Sequence, residues 1–188
     1  MQNVPILSRK GVRILKPSEY ELLLRWMPRP SVLQFNGLLF TGMRYIEAVR
    51  FQGHPEWFDG KNYIMLPVGS MLKKKSEFQE RTITLNNIGS AHVKRFLHSA
   101  PPLPSTQGWG QNLKKWAILA GLNPGMLCAK TTRKTWESWL ANTYRDQLSY
   151  ISSSQGHQES TSLKHYIGVG FYESDRKAML KYVGGWKW

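Results

Sequence analysis

The sequence predicts a mainly α-helical fold with one small antiparallel β-sheet, an α+β arrangement built as a single domain. Three observations carry that reading. Apolar residues recur at helical spacing through most of the chain, as in Leu113, Trp116, Ala117 and Ala120. Only the stretch between residues 60 and 85 turns strand-like, with β-branched alternation in Arg81-Thr82-Ile83-Thr84-Leu85. Breakers such as Pro28, Pro30, Gly42, Pro101-Pro102-Leu103-Pro104 and Gly121 separate the helical stretches.

Taken in order, residues 1–16 mix basic and apolar side chains and read as a lead-in segment, and residues 17–188 as the domain proper. Pro17-Ser18-Glu19-Tyr20 opens a helix through Trp26, with Leu22, Leu23 and Leu24 available for burial. Pro28 and Pro30 end it, and Ser31 is placed to cap the next helix, which carries Val32, Leu33, Phe35, Leu38 and Leu39. Gly42 permits a turn, and a helix from about Arg44 to Phe51 follows, with Arg44 near its N-terminal end. Tyr63-Ile64-Met65-Leu66 and the strand-like run from Arg81 form a hairpin whose long loop holds Lys73-Lys74-Lys75. Helices are then expected over about 88–98, 107–120, 131–144, 158–167 and 173–183, with Gly121 as a stop and Ser152-Ser153-Ser154 as a short polar link.

Composition bounds the function. Lysine and arginine number 26 against 12 acids, a formal charge of +14, which points to a polyanionic partner. Eight Trp and eight Tyr place that charge in a globular chain rather than a disordered tail. Cys128 is the sole cysteine, so no intramolecular disulfide forms and a reducing compartment, the cytoplasm, is expected. No apolar run reads as a signal peptide or a membrane span. His54, His92, His98, His157 and His165 show no metal-ligand pairing, and no phosphate-loop pattern occurs, so neither metal nor cofactor is expected.

Three boxes remain. The first is Thr41-Gly42-Met43-Arg44-Tyr45-Ile46-Glu47 and the second Lys130-Thr131-Thr132-Arg133-Lys134-Thr135-Trp136. The third is Gly156-His157-Gln158-Glu159-Ser160-Thr161-Ser162-Leu163-Lys164-His165-Tyr166, in which His157 precedes Tyr166 by nine residues. In order, context and spacing the three together resemble the catalytic boxes of the tyrosine recombinases, the phage-integrase family. The resemblance covers roughly residues 17 to 184. The Thr-Ser-Leu-Lys-His-Tyr run with the Gly184-Gly185-Trp186 ending is most similar to archaeal and archaeal-virus members. The N-terminal core-binding domain that many members carry is expected to be absent.

The resemblance implies the catalytic-domain fold of that family and a metal-independent chemistry. Tyr166 would be the nucleophile that forms a 3′-phosphotyrosyl link. Arg44 and Arg133 would clamp the phosphate, since a guanidinium binds two phosphate oxygens in a planar fork. Glu47, three residues after Arg44, would buttress it. His157 and Lys130 would stand near the scissile phosphate, Lys130 where the family usually has histidine. The general acid would be a hairpin lysine, Lys75 first, with Lys74 and Lys73 as alternatives. At most one of the three is an acid, and with Lys134 they otherwise read as contacts to the DNA backbone.

The implied function is site-specific recombination of double-stranded DNA, as an integrase. A homotetramer would assemble on DNA from a chain that is a monomer when free, in the cytoplasm, or the host cytoplasm if viral. The segment with Ala178, Met179, Leu180 and Trp186 would pass between protomers. Two other functions fit the same residues. One is a type IB topoisomerase-like enzyme that relaxes DNA; the other is a non-catalytic DNA-binding protein on the same fold.

Overall fold

The computed structural model describes residues 6–70, 80–156 and 169–186. In chain order they form β1 (Ser8–Arg9), β2 (Val12–Arg13), α1 (Pro17–Trp26), α2 (Arg29–Thr41) and α3 (Tyr45–Gln52). A 3-10 turn (Pro55–Trp57), β3 (Tyr63–Leu66), β4 (Arg81–Thr84), α4 (Asn87–Ser99) and α5 (Thr106–Leu119) follow. The described chain continues with α6 (Thr131–Thr143), α7 (Leu148–Gln155) and α8 (Glu173–Val183). The protein is mainly helical. It has two small two-stranded antiparallel sheets among the described residues, where the sequence predicts one.

One of the sheets is the predicted hairpin. β3 and β4 pair with Tyr63 opposite Thr84 and Leu66 opposite Arg81. Along β3, Ile64 and Leu66 point into the core while Tyr63 and Met65 face out, the period-two split of a half-buried strand. The loop lysines Lys73, Lys74 and Lys75 lie outside the described residues.

The other sheet lies inside the segment read as a lead-in. Lys10 and Gly11 both take positive φ, 47° and 69°, and so join β1 to β2 in a tight turn. Behind it Ile14 and Leu15 are fully buried. The Leu15 amide donates to Thr135 Oγ1 at 3.0 Å, and its carbonyl accepts from Trp139 Nε1 at 2.9 Å. The segment is therefore stitched to α6.

Two local expectations are corrected. α1 stops at Trp26, and α2 already begins at Arg29, with Pro28 as its N-cap and Pro30 in its first turn. A proline there gives up only an amide that has no helical partner, so Pro30 opens a helix and Ser31 lies inside it rather than capping it. Ser152, Ser153 and Ser154 are not a link but part of α7, where Ile151, Ser152, Ser154 and Gln155 are buried. A short, serine-rich helix of this kind is held by packing rather than by propensity. The helix expected at 158–167 lies outside the described residues.

α6 is the central element. All of its residues except Lys134 and Thr143 are buried, against α2, α7, α8 and β2. Its apolar members join an aromatic cluster: Trp139 meets Tyr20 edge-on at 5.7 Å and stacks on Tyr182 at 5.3 Å. α8 closes the far side. Asn86 Nδ2 donates to the carbonyls of Tyr182 and Gly184, and Trp186 Nε1 to that of Thr84 at 2.9 Å. Met179 and Trp186, expected to pass between protomers, are thus packed into this chain's own core, while Ala178 and Leu180 face outward. No helix among the described residues is long and apolar enough to cross a membrane.

Candidate functional site

A helix buried on all sides is ordinarily apolar, yet α6 carries Arg133 and Glu137 one turn apart in its interior. Arg133 Nε bonds Glu137 Oε1 at 2.8 Å. Its Nη1 donates to the Gly42 carbonyl at 2.9 Å and its Nη2 to the Gln155 carbonyl at 2.5 Å. These two acceptors are the C-terminal ends of α2 and α7, so one guanidinium ties three helices together. Gly42 makes the approach possible. It takes φ 59°, and a Cβ there would collide with Gln155 Oε1.

Arg44 forms the second arm. It is the N-cap of α3, and Glu47 accepts both its amide (2.8 Å) and its Nη1 (2.9 Å). The same carboxylate therefore caps the helix and orients the arginine. Arg44 Nη2 donates to the Gly156 carbonyl at 3.0 Å. Arg44 and Arg133 thus reach successive carbonyls at the end of α7, whose Cα atoms are about 3.8 Å apart. Gly156 immediately precedes His157 in the sequence.

Two further cations complete the cluster. Arg81, the first residue of β4, places Nη2 2.5 Å from Glu47 Oε2, and Lys134 Nζ lies 3.3 Å from Glu137 Oε2. Glu47 and Glu137 are 1% and 0% exposed, Arg133 8%, Arg81 11% and Arg44 27%. Arg44 is therefore the guanidinium most open to a ligand. Among the described residues four cations of the cluster meet two carboxylates, Glu47 and Glu137. Arg44 at the N-cap of α3 and Arg133 in the first turn of α6 also stand at helix N-termini, whose dipoles add positive potential.

The ionisation of the cluster follows from burial. Desolvation pushes Arg81 down to about 9, with Glu47 opposing and Arg133 and Arg44 adding to the shift, so Arg81 stays charged at neutral pH. Burial likewise lowers the pKa of Lys134, against the attraction of Glu137. The arrangement holds its guanidiniums rigidly, and a guanidinium is a group whose planar fork suits an oxyanion.

Of the residues singled out in the sequence, Arg44, Glu47, Arg133 and Lys134 are brought together. Lys130 stands at the N-cap of α6 one turn before Arg133, is exposed, and makes no side-chain capping hydrogen bond among the described residues. His157 and Tyr166 lie outside the described residues, as do the hairpin lysines. Arg81 and Glu137 are additions. Glu137 was signalled by its four-residue spacing from Arg133, which places both on one helix face. Nothing local signals Arg81. Among the described residues no group of three or more His, Cys, Asp or Glu side chains is placed to hold a metal ion. Comparison with family models, curated proteins and solved structures finds no match to this chain.

Proposed function

We propose that this chain is a DNA strand transferase of the tyrosine recombinase type, with the catalytic-domain fold of that family. The observation that carries the reading is the meeting of Arg44 and Arg133 on the carbonyls of Gly156 and Gln155. Two boxes far apart in the sequence converge on Gly156, which begins the third box with His157 and Tyr166, and on Gln155 just before it.

In this reading a DNA phosphodiester enters beside Arg44. The Tyr166 oxygen attacks phosphorus, and the bond to the 5′ oxygen breaks. The phenolic proton passes to a neighbouring base, and the departing 5′ oxygen takes a proton from a hairpin lysine, Lys75 in preference to Lys74 or Lys73. The product is a 3′-phosphotyrosyl link and a free 5′ hydroxyl. The linkage conserves the phosphoester bond, so attack by another 5′ hydroxyl rejoins the strand without an external energy source. Arg44 and Arg133 stabilise the charge that builds on the non-bridging oxygens. Their forks are already fixed by Glu47 and Glu137, so little reorganisation accompanies the reaction. His157 and Lys130 supply further hydrogen bonds at the phosphate. The partner is double-stranded DNA, on which four copies assemble.

The test is a pool of nicked duplexes of randomised sequence, in which cleavage releases a short fragment that cannot religate. A covalent protein–DNA adduct on a denaturing gel is expected, and its yield should collapse in the Arg44→Lys and Arg133→Lys variants. Absence of any adduct across a pool that the protein demonstrably binds would remove the enzymatic reading.

A further inference from the structure

We infer that Arg81 is a third guanidinium of the phosphate site, donating Nη1 to a phosphate oxygen while its Nη2 holds Glu47. The inference rests on the strand-transfer reading only for the identity of the anion as a DNA phosphodiester; oxyanion binding itself rests on the geometry.

Two observations lead to it. Arg81 Nη1 is a buried donor with no hydrogen-bond partner among the described residues. Such a group is strongly disfavoured unless something completes it, all the more when it is charged. Nη1 also lies at the same glycine that receives Arg44, since a Cβ on Gly156 would fall 2.5 Å from Arg81 Nη1 and 2.9 Å from its Cδ. Arg44, Arg81 and Arg133 therefore converge on Gln155 and Gly156 from α3, β4 and α6. Glu47, the carboxylate that Arg81 meets, is shared with Arg44. An oxyanion would supply the missing acceptor. A phosphodiester has two non-bridging oxygens with several lone pairs, enough for donors from three arginines. Shielding from bulk water is the setting in which a charge-assisted hydrogen bond is strongest.

The role also gives the hairpin a second function. Arg81 opens β4, on the strand that follows the basic loop, so the element expected to bring the acid would bring a phosphate ligand as well.

The experiment uses the full chain labelled with 15N-arginine, with the side-chain Nε–Hε signals assigned through bonds to the backbone. The probes are inorganic phosphate and then a short duplex. The Arg81 signal is expected to shift saturably with both, in parallel with that of Arg44. A second arm measures adduct formation by Arg81→Lys, which keeps the charge but not the fork. Its rate should fall by on the order of tenfold to a hundredfold, the loss of one hydrogen bond to a charged group, with a matching loss of phosphate affinity. An Arg44 signal that moves while Arg81 stays fixed, no response of Arg81 to either probe, or a full-rate Arg81→Lys would overturn the proposal. If Arg81 responds to phosphate but no adduct ever forms, the oxyanion site stands and strand transfer falls. If adduct forms and Arg81 is silent, the reverse holds. Because the titration uses the unsubstituted protein, a poorly folding variant leaves the outcome decided.

Discussion

Glu47 is the residue on which the site turns. One buried carboxylate receives the Arg44 amide, the Arg44 guanidinium and the Arg81 guanidinium. Replacing it by glutamine keeps the shape and removes the charge. Breaking a buried pair in this way costs about 3–5 kcal/mol, so Glu47→Gln should show that loss in chemical denaturation. A change under about 1 kcal/mol would mean that solvent already screens the pair. The clamp variants test geometry rather than charge. Arg44→Lys and Arg133→Lys should each slow adduct formation by on the order of a hundredfold, about 2.7 kcal/mol of barrier, and parental rates in both would reduce these arginines to ordinary contacts. His92 supplies a pH signature outside the site. Stacked on Phe40 at 4.6 Å, its imidazole is pushed down to about 4 by burial and by Arg95. Its folded pKa lies below the unfolded value of 6.5, so the folded state resists its protonation. That stability is present above pH 6.5 and is lost as pH falls toward 4. Denaturation at pH 7 and pH 4.5 should show a smaller acid loss in His92→Phe than in the parent. The boxes made Arg44, Glu47 and Arg133 legible in the sequence because their spacing is local. Arg81 was not, because an arginine at the start of a strand reads as an exposed polar position and its partner lies on another element.

At the scale of elements, the helices whose apolar residues keep strict spacing were readable, and α5 is the clearest: Leu113, Trp116, Ala117 and Ala120 are all buried. α7 was not readable, since its burial is mostly polar and its end is defined by what docks on it. That end is where the site is anchored. Gly156 sits at φ 63° against Arg81, so Gly156→Ala combines backbone strain with a clash. It should destabilise the protein by about 1–3 kcal/mol, whereas Gly121→Ala, also at positive φ but with open space around it, should cost less. Equal losses at the two positions would show that the Arg81 contact adds nothing. The turn between β1 and β2 was equally hidden, because Lys10 at φ 47° is not a residue type that announces a left-handed turn. α8 depends on Trp186, fully buried and bonded to Thr84. Trp186→Ala should lose about 3–5 kcal/mol and Trp186→Phe markedly less, measured by thermal and denaturant unfolding.

For the whole molecule, a charge of +14 should make the proposed DNA affinity salt-dependent. With about six phosphates neutralised, log K against log salt should slope near −5 on duplex DNA. Removing Lys73, Lys74 and Lys75 together should flatten that slope, and Lys134→Ala should change it less, because Lys134 is already tied to Glu137. A flat salt response, or a slope that ignores the hairpin lysines, would deny the molecule a defined DNA face. The central claim is that Tyr166 becomes covalently joined to DNA. Its most direct test is to digest the protein–DNA adduct and map the attached nucleotide by mass spectrometry. The account predicts a nucleotide on the peptide containing Tyr166 and no adduct in Tyr166→Phe, with duplex binding preserved. An unchanged adduct yield in that variant, or a nucleotide mapped to the exposed Tyr172 at the start of α8, would contradict it.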